Sequence, residues 1–96
     1  MAQIRAEVTI TGKVQGVYFR VAMLEEAQKH WVTGWVRNTS DGAVEGVLEG
    51  SRPAVQAVLD WCRQGPPEAV VKGVEVDWQT PSGEYSGFEI RETLRK

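Results

Sequence analysis

"IRAEVTITGKVQGVYFRVAMLEEAQKH", residues 4–30, changes its apolar period partway along. Ile4, Ala6, Val8 and Ile10 alternate with Arg5, Glu7 and Thr9, the two-residue period of a strand buried on one face. Farther on, Phe19, Met23 and Ala27, with Ala22 beside them, recur at three- and four-residue spacings, the period of an amphipathic helix. Between the two lies "GKVQGVYFR", residues 12–20, with no Ser, Thr, Asp or Asn to cap the helix that follows. Arg20 also sets a positive charge in the first turn, the end at which the helix dipole favours a negative one.

Working outward, "WVTGWVRN" is β-branched and aromatic, "TSDG" is a turn signal, and "AVEGVLEG" sets Val44, Gly46 and Leu48 against Glu45, Val47 and Glu49. This predicts a hairpin of strands two and three. Ser51 can cap a second helix with Pro53 in its first turn. Val55, Val58, Leu59 and Cys62 form its apolar stripe, and Gly65, Pro66 and Pro67 stop it. "AVVKGVEVDW" predicts strand four, with Val70, Val74, Val76 and Trp78 on one face, and after a polar loop "FEIRE" can add a short fifth strand. The order βαββαβ folds most simply as an α+β, ferredoxin-like sandwich: an antiparallel sheet with both helices on one face. Strands one and three are expected at its centre, running parallel.

The 96 residues suffice for one hydrophobic core and one compact unit over residues 1–96. A formal net charge of -2 gives no general attraction to nucleic acid or anionic membranes. No apolar run approaches the length of a membrane span, and the N-terminal residues lack a signal-like apolar region. The single cysteine cannot form an internal disulfide, which suits a reducing compartment, with the cytoplasm as the default.

The conventional nucleophiles and ligands offer little. Cys62 lies on an apolar stripe and reads as a small buried hydrophobe, and Glu68 stands where a cysteine-loop phosphatase needs an arginine. His30, the only histidine, falls in the last turn of helix one, where its cationic form suits the dipole. No ligand spacing for a transition metal is present, and the acidic residues, Glu25 and Glu26 among them, read as solvated surface. The loop at residues 12–20 is different. Gly12 and Gly16 admit backbone shapes closed to other residues, and the uncapped helix start exposes N–H groups. An anion between those amides and Arg20 would satisfy both; a tight turn with a solvated arginine accounts for the residues equally well. Asn38, at the end of strand two, can offer a water both a donor and an acceptor, or it can shape the turn with Asp41 and Gly42.

Taken together, "GKVQGVYFR" and "GWVRNTSDGAVE" resemble the acylphosphatase family, whose signatures read G-x-V-Q-G-V-x-[FY]-R and G-W-V-x-N-x-x-D-G-x-V-E. "GPPEAVVKGVEV" and "GFEIR" are also similar to that family, so the resemblance spans nearly the whole chain. It implies hydrolysis of the carboxyl–phosphate bond of acyl phosphates, with no metal or cofactor. The amides of Gln15, Gly16, Val17, Tyr18 and Phe19 would cradle the phosphoryl group, Arg20 would bind it, and Asn38 would orient the attacking water. The implied partners are a small acyl phosphate, with inorganic phosphate or sulfate as a ligand of the same loop; a monomer is the default state for so small an enzyme. The resemblance departs at the end of helix one, where the family often has a Leu-Gly pair and this chain has His30 and Trp31.

Two rivals share the element order. An RNA-recognition module needs exposed aromatics on its central strands, where this sequence shows Arg5, Glu7, Thr9, Glu45, Val47 and Glu49, and the carboxylates there repel RNA. A domain of the same scaffold serving a larger carbamoyl-phosphate-handling protein is disfavoured by the shortness of the chain.

Overall fold

A computed structural model describes residues 3–94, so the unit expected over residues 1–96 reaches past the described residues at both ends. The elements are β1 (Gln3–Lys13), α1 (Phe19–Lys29), β2 (Thr33–Asn38), β3 (Val44–Ser51), α2 (Arg52–Cys62), β4 (Val70–Gln79) and β5 (Phe88–Ile90). The strands form one sheet in the order β4-β1-β3-β2-β5, and the two helices pack on it as the sequence predicts. Ala6, Val8, Ile10, Val36, Val44 and Leu48 supply the covered face, against Phe19, Met23 and Ala27 of α1 and Val55, Val58, Leu59 and Cys62 of α2. The cap at α2 is made as expected, Ser51 Oγ accepting from the Ala54 N–H at 3.4 Å.

Two expectations about strand direction are corrected. β1 and β3 are central but antiparallel, in register from Gln3 opposite Ser51 to Ile10 opposite Val44. Each helical crossover makes its two strands parallel while the β2–β3 hairpin reverses direction, so β1 must oppose β3. This correction brings the site together: Ile10, Val44 and Asn38 line up across three strands, and the loop after β1 emerges beside the β2–β3 turn. β5 pairs with β2 in parallel, so the sheet is mixed rather than antiparallel throughout. After β4 the chain crosses to the opposite edge, which sets β5 running with β2.

Strand four departs from its predicted alternation. Val74 and Val76 pack against the core, but Val70 is exposed and Val71 takes the inward place. The cause is a bulge: Thr11 pairs with Gly73 and Gly12 with Val71, leaving Lys72 as the extra residue that inverts the facing order before it. Gly12 is required there, with φ of 120° and a position at which a Cβ would run into the Val70 carbonyl.

The crossing residues 80–87 lie over the uncovered face of the sheet and reverse the expectation for one acid. Glu49, read as a solvated carboxylate, is only 3 % exposed. It accepts from the Ser82 N–H at 2.9 Å, the Gly83 N–H at 3.0 Å and the Ser82 hydroxyl at 3.0 Å, and pairs with Arg5 at 2.9 Å. Burial disfavours its charge, but the two amides, Arg5 and the hydroxyl more than offset that and hold the carboxyl below its ordinary range.

The end of α1 resolves the His30–Trp31 departure. The Val32 N–H bonds the Ala27 carbonyl at 2.8 Å and the Trp31 N–H the Gln28 carbonyl at 3.2 Å, a Schellman motif with His30 as the C-cap. The position that must be left-handed is Trp31, with φ of 61° and 89 % exposure. A left-handed non-glycine residue costs ~1–2 kcal/mol, and glycine's freer unfolded chain offsets about 0.4–1 kcal/mol of any gain from replacing it. The net gain expected for Trp31→Gly is ~0–1.6 kcal/mol, so Tm should hold or rise by a few degrees, read by thermal unfolding. A lower Tm would show that the indole contributes more than its exposure suggests.

Candidate active site

The chain between β1 and α1 turns left-handed twice, at Gly16 with φ of 75° and at Tyr18 with φ of 63°. Gly16 takes that shape freely, whereas Tyr18 is a strained, 79 % exposed helix N-cap whose side chain makes no capping bond. Left-handed residues next to right-handed ones aim successive N–H groups to the same side, forming an anion-binding concavity. Val14, Val17 and Phe19 are buried and anchor the loop from beneath. Among the described residues the amides of residues 15–19 meet no acceptor, and the next paired N–H is that of Ala22, on the Tyr18 carbonyl at 3.1 Å.

A cavity of about 410 Å3 opens over this loop, lined among others by Gly16, Tyr18, Phe19, Arg20 and Asn38. It unites Arg20 and Asn38, which lie on different elements. Arg20 is the second residue of α1, whose first turn holds no acid, and it makes no ion pair or hydrogen bond among the described residues. Asn38, at the end of β2, has its Oδ1 buried with no hydrogen-bond partner among them. Such an atom normally has a partner, and its orphaning costs ~1–3 kcal/mol unless something else supplies the donor.

The turn after Asn38 is built without its side chain. Thr39, 1 % exposed, shapes the turn: its hydroxyl bonds Asp41 and accepts from the Ala43 N–H at 3.1 Å, while its N–H donates to the Ala43 carbonyl at 2.9 Å. Of the two roles open to Asn38 in the sequence, turn-shaping thus falls to its neighbour. Gln15 and Val17 do not line the cavity with their side chains. Val17 is in the core, and the Gln15 amide reaches across to the β2–β3 turn, donating to the Thr39 carbonyl at 2.7 Å and the Ala43 carbonyl at 2.8 Å. Sequence reading marked Gln15 for its backbone amide and missed this side-chain bridge, and it missed Thr39 altogether, because both roles depend on contacts across strands.

The remaining candidates lie elsewhere. Cys62 is fully buried beside Met23, Sγ to Sδ 3.8 Å, and burial pushes its thiol up to about 12. His30 sits 3.6 Å from Glu26 at the end of α1. No group of three or more His, Cys, Asp or Glu side chains able to hold a metal comes together among the described residues, and none of their helices is long and apolar enough to cross a membrane.

A family model described as Acylphosphatase matches residues 6–90. The chain is 53% identical over 90 residues to an acylphosphatase of Pelotomaculum thermopropionicum, covering 94% of this chain and 98% of the relative. It is 58% identical over 87 residues to an acylphosphatase of Gloeobacter violaceus, covering 91% and 92%. Among solved structures, an acylphosphatase from Coxiella burnetii superposes with a TM-score of 0.89 at 38% identity, covering 94% of each chain.

Proposed function

The chain belongs to the acylphosphatase family, and on that premise we propose that its hydrolysis of acyl phosphates is metal-independent and carried by the 15–19 loop, Arg20 and Asn38. The observation that supports this division most strongly is the convergence on one cavity of three polar groups that have no partner among the described residues: the loop amides, the Arg20 guanidinium and Asn38 Oδ1. Amides and guanidinium suit the non-bridging phosphoryl oxygens, and Oδ1 suits a proton of the attacking water.

The reaction asks little else of the protein. Water oxygen bonds phosphorus while the bond from phosphorus to the acyl oxygen breaks, and the carboxylate leaves with the electron pair. A carboxylate leaving group needs little general-acid help. A loose phosphoryl-transfer transition state is helped chiefly by positioning and by charge placed at its equatorial oxygens. Oδ1 accepts a hydrogen bond from one O–H of the water and so aims the lone pair at phosphorus, and the single proton released on attack passes to a phosphate oxygen of the substrate. The inert Cys62 and the distant His30 have no part in it. Tyr18 strain is the cost of aiming amides inward. The reading extends to inorganic phosphate or sulfate as a ligand of the same loop, and to residues 1–96 acting as one monomeric unit in the cytoplasm.

Steady-state hydrolysis of benzoyl phosphate in the presence of EDTA tests the proposal. Undiminished phosphate release after chelation is expected. Activity abolished by the chelator and restored by a divalent cation would overturn metal independence, and no release under either condition would remove the enzymatic reading of this cavity.

A further inference from the structure

The loop that carries the amides and the strand end that carries Asn38 are joined by one side chain. Gln15 Nε2 donates its two hydrogens to the Thr39 and Ala43 carbonyls, at 2.7 and 2.8 Å. These carbonyls flank the β2–β3 turn, and Thr39 follows Asn38 directly. Neither carbonyl depends on Gln15 to be satisfied. The Gly42 N–H already bonds the Thr39 carbonyl at 3.2 Å, and the Thr39 N–H already bonds that of Ala43 at 2.9 Å. The turn therefore closes without Gln15, as the loop packs without it through Val14 and Val17. What the amide adds is a fixed separation between two separately built parts.

We propose that Gln15 is a positioning residue, whose side chain sets the distance between the phosphoryl-binding loop and Asn38 and so holds the attacking water in line with the phosphorus. The inference rests on the phosphoryl and water roles proposed above for the loop and Asn38. It follows from the chemistry of in-line attack, in which phosphorus is fixed by one part and its nucleophile by the other, so that relative placement is what the rate responds to. A carboxamide suits the task because one nitrogen offers two hydrogens to two carbonyls, and those acceptors are shielded, Thr39 being 1 % and Ala43 8 % exposed.

The test is a double-mutant cycle on benzoyl phosphate hydrolysis. Gln15→Met keeps the bulk of the side chain and removes its donors, so the fold is retained; Gln15→Ala is its companion. With Asn38 present, each is expected to lower kcat by roughly tenfold to a hundredfold, with the inhibition constant of inorganic phosphate changed less than about threefold. In the Asn38→Ala background the same substitutions are expected to cost less than about threefold, because no positioned water remains to be misplaced. Equal losses in both backgrounds, or a phosphate affinity falling in step with kcat, would overturn the inference and mark Gln15 as support for the anion site alone. A fully active Asn38→Ala single variant would instead defeat the water role on which the inference rests, and with it the inference. The two failures are thus read from different arms.

Discussion

Arg20→Ala is expected to lower kcat/KM for benzoyl phosphate by about three orders of magnitude, a loss of roughly 4 kcal/mol in transition-state stabilisation. Removal of a single preorganised charge from a phosphoryl-transfer site typically has this effect, since charge builds on the equatorial oxygens where a guanidinium binds best. The same substitution should leave the fold untouched. Arg20 has no partner among the described residues, and its charge opposes the dipole at the start of α1. Relieving that opposition contributes about 0.3–1 kcal/mol, so Tm is expected to stay level or rise slightly. Loss of activity with stability kept or gained is the signature of a residue held for function against the preference of the fold. A loss of only a few-fold in rate would mean that the phosphoryl group sits elsewhere.

Asn38→Ala is expected to cost roughly a hundredfold to a thousandfold in kcat, with phosphate inhibition nearly unchanged, because the amides and Arg20 still hold the anion while the water loses its acceptor. Stability should again change little. The Oδ1 removed is a buried atom without a partner among the described residues, so its loss breaks no bond there, and the turn beside it is built by Thr39. The contrast between the two variants is diagnostic: Arg20→Ala should weaken phosphate binding together with the rate, whereas Asn38→Ala should spare binding. Parallel loss of both in Asn38→Ala would place Asn38 on the phosphoryl group instead of the water.

How much of this was legible from the chain depends on the range of the interaction read. Phe19, Met23 and Ala27, and Val55, Val58, Leu59 and Cys62, are buried as their spacing predicts, since helical periodicity is a local property. The missing cap before α1 was visible for the same reason. Misreadings occurred wherever one segment's environment is set by another. Val70 faces outward against its alternation because the bulge that inverts it exists only through pairing with Gly12. Glu49 is buried although nothing near it in sequence announces its partners Ser82 and Gly83. Trp31 stood out as a departure, and its left-handed backbone at the C-cap is the physical content of that departure.

By itself the sequence determined the elements, their order, the α+β class and a family resemblance carried by two motifs, because turns, caps and apolar periods are fixed within a few residues. It also supplied the chemical types, an unopposed arginine, uncapped amides and an amide side chain at a strand end. The tertiary structure alone decided that these meet. Antiparallel pairing of β1 with β3 carries the loop to the β2–β3 turn, Thr39 frees Asn38, and Gln15 ties the two parts together. Each is a contact between residues distant in sequence, and its geometry follows from how strands pair and bury one another, which no local pattern encodes.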